Sequence, residues 1–183
     1  KEIPKLTRDL SKRLIYCVLY GGGAKKTGSI IAPKESEHKQ YEKGKQTIDT
    51  FYQNLPAIKQ LKDKVEATLN QRDYLIGIDG RRLQIRSKHS ALNQLLQSTG
   101  AISVKKATTI LYDDMSSKGL KFYKDWGFVA HVHDEYQCLL RPQYTDLFKE
   151  LAIDSFRKSG EYFSLKCPLT GEAKIGKNWC ETH

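Results

Sequence analysis

Residues 127–140, "GFVAHVHDEYQCLL", have the pattern of two short strands joined by a tight bend. Apolar residues alternate with other residues on both sides of the central His133-Asp134 pair, which is the period-two pattern of a β-hairpin. Two-residue hairpin loops usually contain Asn-Gly or a similar pair, and His133-Asp134 is not of that type. The unusual turn residues indicate that their side chains have a use of their own.

Two carboxylates lie side by side at this bend, Asp134 and Glu135. Carboxylate oxygens are hard ligands, which suit Mg²⁺. A single adjacent pair cannot hold a two-metal phosphoryl-transfer site, so a further aspartate is expected from elsewhere. Taken in isolation, the same pair also fits plain solvated charge on a loop.

The bend permits a second chemical interpretation, a metallohydrolase cluster of the HxHD type formed by His131, His133 and Asp134. That class needs further histidines to complete its sites. Tightly bound zinc would distinguish it, and it is the weakest of the interpretations. The remaining histidines are His38, His89 and His183.

Composition favours a globular protein with a polyanionic partner. The chain has 183 residues, 39% of them hydrophobic, and a formal net charge of +10. This length allows one domain or two small ones, and the charge points to nucleic acid, although solubility or membrane contact would also account for it. No apolar run is long enough to span a membrane, and no signal-peptide pattern opens the chain. Four cysteines without CxxC spacing indicate reduced thiols in a cytosolic protein.

The remaining elements follow from periodicity and from helix and turn signals. Helices are predicted at 7–20, through 35–70 with a break or first turn at Pro56, at 88–118 and at 143–158. A second hairpin is predicted at 74–87, around Asp79-Gly80, and short strands at 164–166 and 172–174. Helices and antiparallel strands in this order predict an α+β fold, a helical lobe set against a sheet.

The opening helix carries Arg8, Lys12, Tyr16 and Tyr20 at four-residue steps, so all four lie near one face. Two cations followed by two aromatic rings suit a nucleoside triphosphate, with charge for the phosphates and rings for the base and sugar. The alternative is a solvated basic edge that grades into a buried tyrosine stripe.

A polar row steps by four along the predicted helix 88–118, through His89, Asn93 and Gln97. Such a row could hydrogen-bond base edges in a duplex minor groove, whose acceptors are largely independent of sequence. Ordinary exposed amides are the alternative. Just upstream, Arg81 and Arg82 supply phosphate-pairing charge on a turn, which is weak support.

Taken in order, these segments resemble the C-terminal part of a family A DNA polymerase, the bacterial polymerase I superfamily, and most of all its phage replicative branch. "RDLSKRLIYCVLYG" (8–21) matches the fingers-helix motif, and "GIDGRRLQIRSKHSALNQLLQSTGA" (77–101) resembles the segment leading into the long palm helix. "HVHDE" (131–135) matches the palm hairpin, and "GKNWCETH" (176–183) is similar to the phage enzymes' C-terminus. The resemblance spans nearly all of the chain.

The resemblance implies an α+β right-hand polymerase fragment, with a helical fingers lobe and a palm that has an antiparallel sheet and a long helix. Residues 1–75 would form the fingers, with the nucleotide-binding helix at 7–20. Residues 76–183 would form the C-terminal part of the palm, with the catalytic hairpin at 127–140.

The resemblance also implies a reaction, the addition of dNTPs to a primer 3′-hydroxyl by two-metal phosphoryl transfer. Asp134 and Glu135 would be catalytic and would bind Mg²⁺. Two ions are expected, and an upstream segment outside this chain would supply the other part of their ligand set. Lys12 would be the proton donor to pyrophosphate and would contact the triphosphate together with Arg8. Tyr16 would pack against the nucleotide sugar. The remaining implied roles are stacking by the templating base for Tyr20, and DNA binding for Arg81, Arg82, His89, Asn93, Gln97 and His133.

The implied partners are primer-template DNA, dNTPs and the missing N-terminal portion of the polymerase, with a processivity factor as a further candidate. The implied location is the cytoplasm of a bacterial cell, with a phage as a candidate source. No membrane partner is expected.

The chain departs from the family pattern in two ways. Cys17 stands where the family usually has glycine. In the family, the other essential aspartate lies in an upstream motif of the D-x-S-x-x-E-L-R type, and residues 1–7 contain no counterpart of it. A fragment that is close to inactive alone is therefore expected. The alternatives are a non-catalytic DNA-binding remnant and one chain of a split polymerase.

Overall fold

The computed structural model describes residues 7–182, and the chain divides into two compact units between Leu96 and Gln97. The first six residues and His183 lie outside the described residues. Two sequence observations therefore fall outside the described residues. They are the missing aspartate motif, as far as it concerns residues 1–6, and the closing histidine, His183. Among residues 7–182, no helix combines the length and apolar character that crossing a membrane requires.

The first unit begins with helix α1 (Arg8–Leu19), as the sequence predicts. Thr7 caps it, because its hydroxyl oxygen accepts a hydrogen bond from the Leu10 amide at 3.3 Å. The helix buries Leu14, Cys17 and Val18. It ends where Gly21 adopts a φ of +80°, a left-handed conformation that glycine takes at little cost.

Helix α2 (Ala24–Ile31) is not predicted from the sequence. It has only eight residues, no acidic residue in its first turn and no side-chain cap, so local signals are weak. It packs closely on α3 (Glu37–Asn54), because a Cβ at Gly28 would overlap the Gln40 carbonyl and one at Gly44 would overlap the Ala24 carbonyl. Glycine thus sets the distance between these two helices.

Helix α4 (Pro56–Gln71) starts at Pro56, so of the break or first turn expected at this proline the structure shows both, since α3 ends at Asn54 and Pro56 opens the next helix. Strands β1 (Tyr74–Ile76) and β2 (Arg82–Gln84) form the antiparallel hairpin expected around Asp79-Gly80. A shared core joins α4, this hairpin and the beginning of the next helix. Its buried members are Val65, Leu69, Leu75, Ile85 and Ala91.

The compact first unit therefore continues to Leu96, beyond the fingers–palm boundary expected at 75/76. Burial of the hairpin against α4 explains the difference, since contacts rather than functional roles define a compact unit. The boundary at 75/76 stays a prediction about functional subdomains.

Helix α5 (Ala91–Ser117) confirms the predicted long helix and runs into the second unit. Strands β3 (Trp126–Val132) and β4 (Glu135–Leu140) form the predicted hairpin, which pairs Trp126 with Leu140 and Val132 with Glu135. Helices α6 (Thr145–Tyr162) and α7 (Trp179–Thr182) follow. The α+β prediction is confirmed.

One face of the β3–β4 hairpin packs into the core of the second unit. The core centres on Leu111, Met115, Leu120, Trp126 and Ala152, with Phe128 and Tyr136 packed against it. Helices α5 and α6 are also joined by polar contacts: the Ser159 hydroxyl donates to the Ser103 carbonyl at 2.6 Å, and Lys158 pairs with Asp114 at 2.8 Å. The hairpin is thus fixed on a packed support.

The predicted strands at 164–166 and 172–174 are wrong, because both stretches are irregular in the structure. Ser164 has a φ of +53°, which is incompatible with an extended strand. The later stretch lies against α6, since a Cβ at Gly171 would lie 3.2 Å from the Phe156 ring. Packing on a helix, and not strand pairing, determines the path of this segment.

Candidate functional site

The row predicted on α1 lies on its exposed face. Arg8, Lys12, Tyr16 and Tyr20 are all exposed, while the opposite face is buried. The Tyr16 and Tyr20 rings are stacked, with centroids 5.4 Å apart, and the Lys12 ammonium lies 5.9 Å from the Tyr16 centroid. The alternative of a buried tyrosine stripe is wrong, since Tyr16 is 44% exposed and Tyr20 38%. This face can offer cations and aromatic rings to a ligand at the same time.

The loop after α1 lies against the turn that precedes α5. A Cβ at Gly21 would lie 2.6 Å from the His89 carbonyl oxygen and 3.1 Å from the His89 ring. His89 itself is exposed, in a short 3₁₀ turn (Lys88–Ser90). Two segments of the sequence prediction, the end of the α1 row and the start of the polar row, are therefore neighbours in the first unit.

The rest of the polar row differs along its length. Asn93 on α5 is partly buried, and its side-chain oxygen is fully buried without a hydrogen-bond partner among residues 7–182. Gln97, in the second unit, is exposed. The row is therefore not a uniform exposed edge of amides, since Asn93 lies deeper than the sequence spacing indicates.

The β1–β2 hairpin displays the predicted arginines. Arg81 forms an ion pair with Asp79. The Arg82 guanidinium lies 4.8 Å from the centre of the Tyr74 ring, and the Arg72 guanidinium lies 4.7 Å from the same ring. Arg72 was missed in the sequence. Its position two residues before Tyr74, the first residue of β1, is the sequence signal that could have indicated the contact. Tyr74 thus holds two guanidinium groups that can meet phosphate.

At the tip of the second hairpin, β3 ends at Val132 and β4 begins at Glu135, so His133 and Asp134 form the loop. His133 has a φ of +54°, a left-handed conformation that histidine adopts more readily than bulky or branched residues. His133 and Asp134 are exposed, and Glu135 is half-buried. Within residues 7–182 there is no cluster of three or more candidate metal ligands, so the tip offers the Asp134–Glu135 pair.

A chain of side-chain hydrogen bonds runs from Glu135 through Gln137 to Thr182 on α7. The Gln137 amide nitrogen donates to the Glu135 carboxylate, and the Gln137 amide oxygen accepts from the Thr182 hydroxyl at 3.1 Å. Sequence reasoning missed Gln137 and Thr182. The i, i+2 spacing of Glu135 and Gln137, which places both on one side of a strand, is a signal that could have indicated the first bond.

A groove of about 610 Å³ lies beside the hairpin in the second unit. It is bounded by β4, by α6 and by residues 170–176, with Asp134 and Glu135 among its lining residues. Burial raises the pKa of the Tyr136 phenol and of the Cys138 thiol, each to about 12. Both groups therefore stay protonated near neutral pH, and neither is suited to act there as a base or a nucleophile.

Comparisons with known proteins agree with these features. The model of DNA polymerase family A matches residues 1–181. The DNA-directed DNA polymerase of Enterobacteria phage T3 is 35% identical to the chain, and that of Escherichia phage T7 is 34% identical. Each alignment covers 100% of this chain and 27% of the relative, so the chain spans about a quarter of the length of these relatives.

Among solved structures, the polymerase domain of Pol1 from M. smegmatis, in complex with DNA primer-template and dNTP, has a similar fold. Its TM-score is 0.71 at 18% sequence identity, and the match covers 86% of this chain and 29% of that one.

Proposed function

The chain belongs to DNA polymerase family A, and from this membership we propose that it contributes the nucleotide-binding helix and the catalytic hairpin of a DNA-directed DNA polymerase. The observation that carries the proposal is the hairpin itself. Asp134 lies in its loop and Glu135 at the start of β4, and the two paired strands pack into a core. A rigid support of this kind is what a phosphoryl-transfer site requires, because its catalysis consists mainly of positioning and charge stabilisation.

In this proposal the exposed face of α1 binds the incoming dNTP. Arg8 and Lys12 meet the triphosphate, Tyr16 packs against the sugar, and Tyr20 stacks by the templating base. The stacked tyrosine rings and the neighbouring Lys12 ammonium support this arrangement, because cations and aromatic rings lie together on the exposed face of the helix. Lys12 would then give its proton to the pyrophosphate leaving group.

Asp134 and Glu135 would hold Mg²⁺ through their carboxylate oxygens, which are the hard ligands that this ion prefers. The exposed position of Asp134 and the half-buried position of Glu135 fit such a role, because both side chains lie at the tip and line its groove. When bound, two ions would neutralise charge on the attacking and leaving oxygens. The pair is too small a ligand set for two ions, so the remaining ligands would come from another segment of the polymerase.

Primer-template DNA is the proposed partner of the remaining candidate residues. Arg82, held on Tyr74, and Arg81 would contact phosphates. His133, at the exposed tip, would lie near the primer terminus. The relatives' phage and bacterial sources make a bacterial cell the proposed location. Residues 1–75 are the proposed fingers portion, and residues 76–183 are the proposed palm portion. The residues proposed for the minor-groove side are His89, Asn93 and Gln97.

The test is templated primer extension with Mg²⁺ and all four dNTPs, performed on the complete gene product. Asp134→Asn is expected to abolish nucleotide addition while primer-template binding, measured by fluorescence anisotropy, stays within about twofold, because the change removes one ligand charge and little else. Asp113→Asn is the matched control, since Asp113 is also an exposed aspartate of the second unit. It should extend primers like the wild type.

The same assay separates the alternatives. Binding of duplex DNA without extension by the wild type would identify a non-catalytic DNA-binding protein and overturn the proposal. Extension that starts only when a second polypeptide is added would identify one chain of a split polymerase.

A further inference from the structure

We propose that Gln137 is a positioning residue, which fixes the Glu135 carboxylate by anchoring it to Thr182 on helix α7. This inference rests on the proposed function, because it concerns how the carboxylate pair at the hairpin tip is held for metal binding.

The first step is the bond between the two β4 side chains. Glu135 and Gln137 are two residues apart on a strand, so their side chains leave the sheet on the same side. The Gln137 side-chain nitrogen donates to Oε1 of Glu135. A carboxylate can only accept hydrogen bonds, so the NH₂ group of the amide must be the one that points at Glu135.

The second step follows from that orientation. With its nitrogen committed to Glu135, the amide turns its oxygen towards Thr182, whose hydroxyl donates to it at 3.1 Å. One neutral side chain thus connects the candidate metal-binding carboxylate to the last described residue of the protein. Glu135, Gln137 and Thr182 are all half-buried, so water competes only partly for these bonds.

The third step is that Thr182 belongs to a turn with its own hydrogen bonds. Both Glu181 carboxylate oxygens accept bonds, one from the Lys177 amide at 2.8 Å and one from the Asn178 side chain at 2.9 Å. The Trp179 carbonyl oxygen also lies 3.1 Å from the Thr182 hydroxyl, so the single hydroxyl hydrogen is shared between this carbonyl and the Gln137 amide oxygen. This turn stays organised without Gln137, so it can serve as an anchor for the hairpin.

An anchored carboxylate matters because metal ligands are oriented by the groups that hydrogen-bond them. Loss of such a partner typically costs roughly 10- to 100-fold in metal affinity or activity. Gln137 is neutral, so its effect on Glu135 comes from orientation and not from added charge. Removing the amide while keeping the volume, as in Gln137→Leu, should therefore weaken metal binding without a change in net charge.

The experiment uses the complete gene product and two readouts: Mn²⁺ titration followed by electron paramagnetic resonance, and steady-state primer extension. Gln137→Leu is expected to bind Mn²⁺ about 10- to 100-fold more weakly and to lose kcat to a similar degree, with KM for dNTP within about twofold of wild type. Thr182→Val should shift both quantities in the same direction, and Thr182→Ser, which keeps the hydroxyl, should restore them. Thr170→Val is the matched control, because Thr170 lines the same groove and should change neither.

Unchanged Mn²⁺ affinity and kcat in Gln137→Leu would overturn the inference. If that variant does not fold, as judged by circular dichroism, the contrast between Thr182→Val and Thr182→Ser decides instead, and equal behaviour of the two overturns it. A wild type that fails to extend primers counts against the proposed polymerase function alone. In that event the Mn²⁺ affinities still decide whether Gln137 orients Glu135.

Discussion

Gly21 lies so close to His89 that a single added carbon would be 2.6 Å from the His89 carbonyl oxygen. The contact joins the end of the exposed α1 face to the turn at the start of α5, and both segments are candidates for substrate binding. The φ of +80° at Gly21 adds a second reason for glycine at this position.

Gly21→Ala is accordingly expected to lower the free energy of unfolding by about 2 kcal/mol or more, since a left-handed alanine alone costs about 1 kcal/mol and the backbone contact adds to it. Gly100→Ala on α5 is the matched control, because a Cβ there meets nothing within 4 Å. It should stabilise the helix by about 0.5–1 kcal/mol. Urea denaturation measures both, and equal effects of the two changes would contradict the role of the contact.

Lys12 supplies the ammonium of the α1 face, 5.9 Å from the Tyr16 ring centre. If it protonates the leaving group, Lys12→Met should lower kcat for nucleotide addition by roughly 10²- to 10⁴-fold, the usual contribution of a general acid. Lys45→Met on α3 removes the same charge from an exposed lysine elsewhere in the first unit and should have little effect. Single-turnover extension by the complete gene product is the measurement. A drop in dNTP affinity with an unchanged rate at saturation would assign Lys12 to binding only.

Arg82 is held on the Tyr74 ring, so its guanidinium is presented in a restricted range of positions. If it contacts a phosphate, Arg82→Gln should weaken duplex binding equally for different sequences, and the slope of log K against log salt should fall by roughly 0.9, the value for one lost phosphate contact. Arg157→Gln is the control, since Arg157 is already paired with Asp154 at 2.7 Å and also with Glu161. An unaltered salt slope in Arg82→Gln would exclude a phosphate contact.

The Cys138 thiol is partly buried, and burial raises its pKa from 9.0 to about 12, whereas the thiols of Cys167 and Cys180 are exposed to reagent. Alkylation requires the thiolate form of cysteine. Raising the pKa of Cys138 from 9.0 to about 12 makes its thiolate fraction near neutral pH roughly a thousandfold smaller than it would be at the ordinary pKa. Iodoacetamide at pH 8 should therefore label Cys167 and Cys180 well before Cys138. The Cys138 rate should rise about tenfold per unit between pH 7 and 9, because both values lie below its pKa.

Timed labelling followed by peptide mass spectrometry measures each cysteine separately. Labelling of Cys138 at the rate of the exposed thiols would show that the groove wall is open to solvent. Repeating the experiment in denaturant provides the control, since all thiols should then react alike.

The local elements of the fold were predictable because their signals are local. Thr7 and Gly21 delimit α1, Pro56 opens α4, and period-two alternation indicates the β3–β4 hairpin. Helix α2 was missed because its position depends on glycine contacts with α3. The two false strands, 164–166 and 172–174, arose because alternation was interpreted as pairing, although the chain there packs on α6.

The candidate site divides in the same way. The sequence by itself determined the family, the exposed row on α1 and the carboxylate pair at the hairpin tip, since these depend on residue type and short spacing. Tertiary structure alone decided that Gln137 joins Glu135 to Thr182 and that Gly21 lies against His89. Gln137 and Thr182 are 45 positions apart in the sequence, and Gly21 and His89 are 68 positions apart. Periodicity reports only on neighbours along the chain, and distant groups meet only when packing of the core brings their segments together.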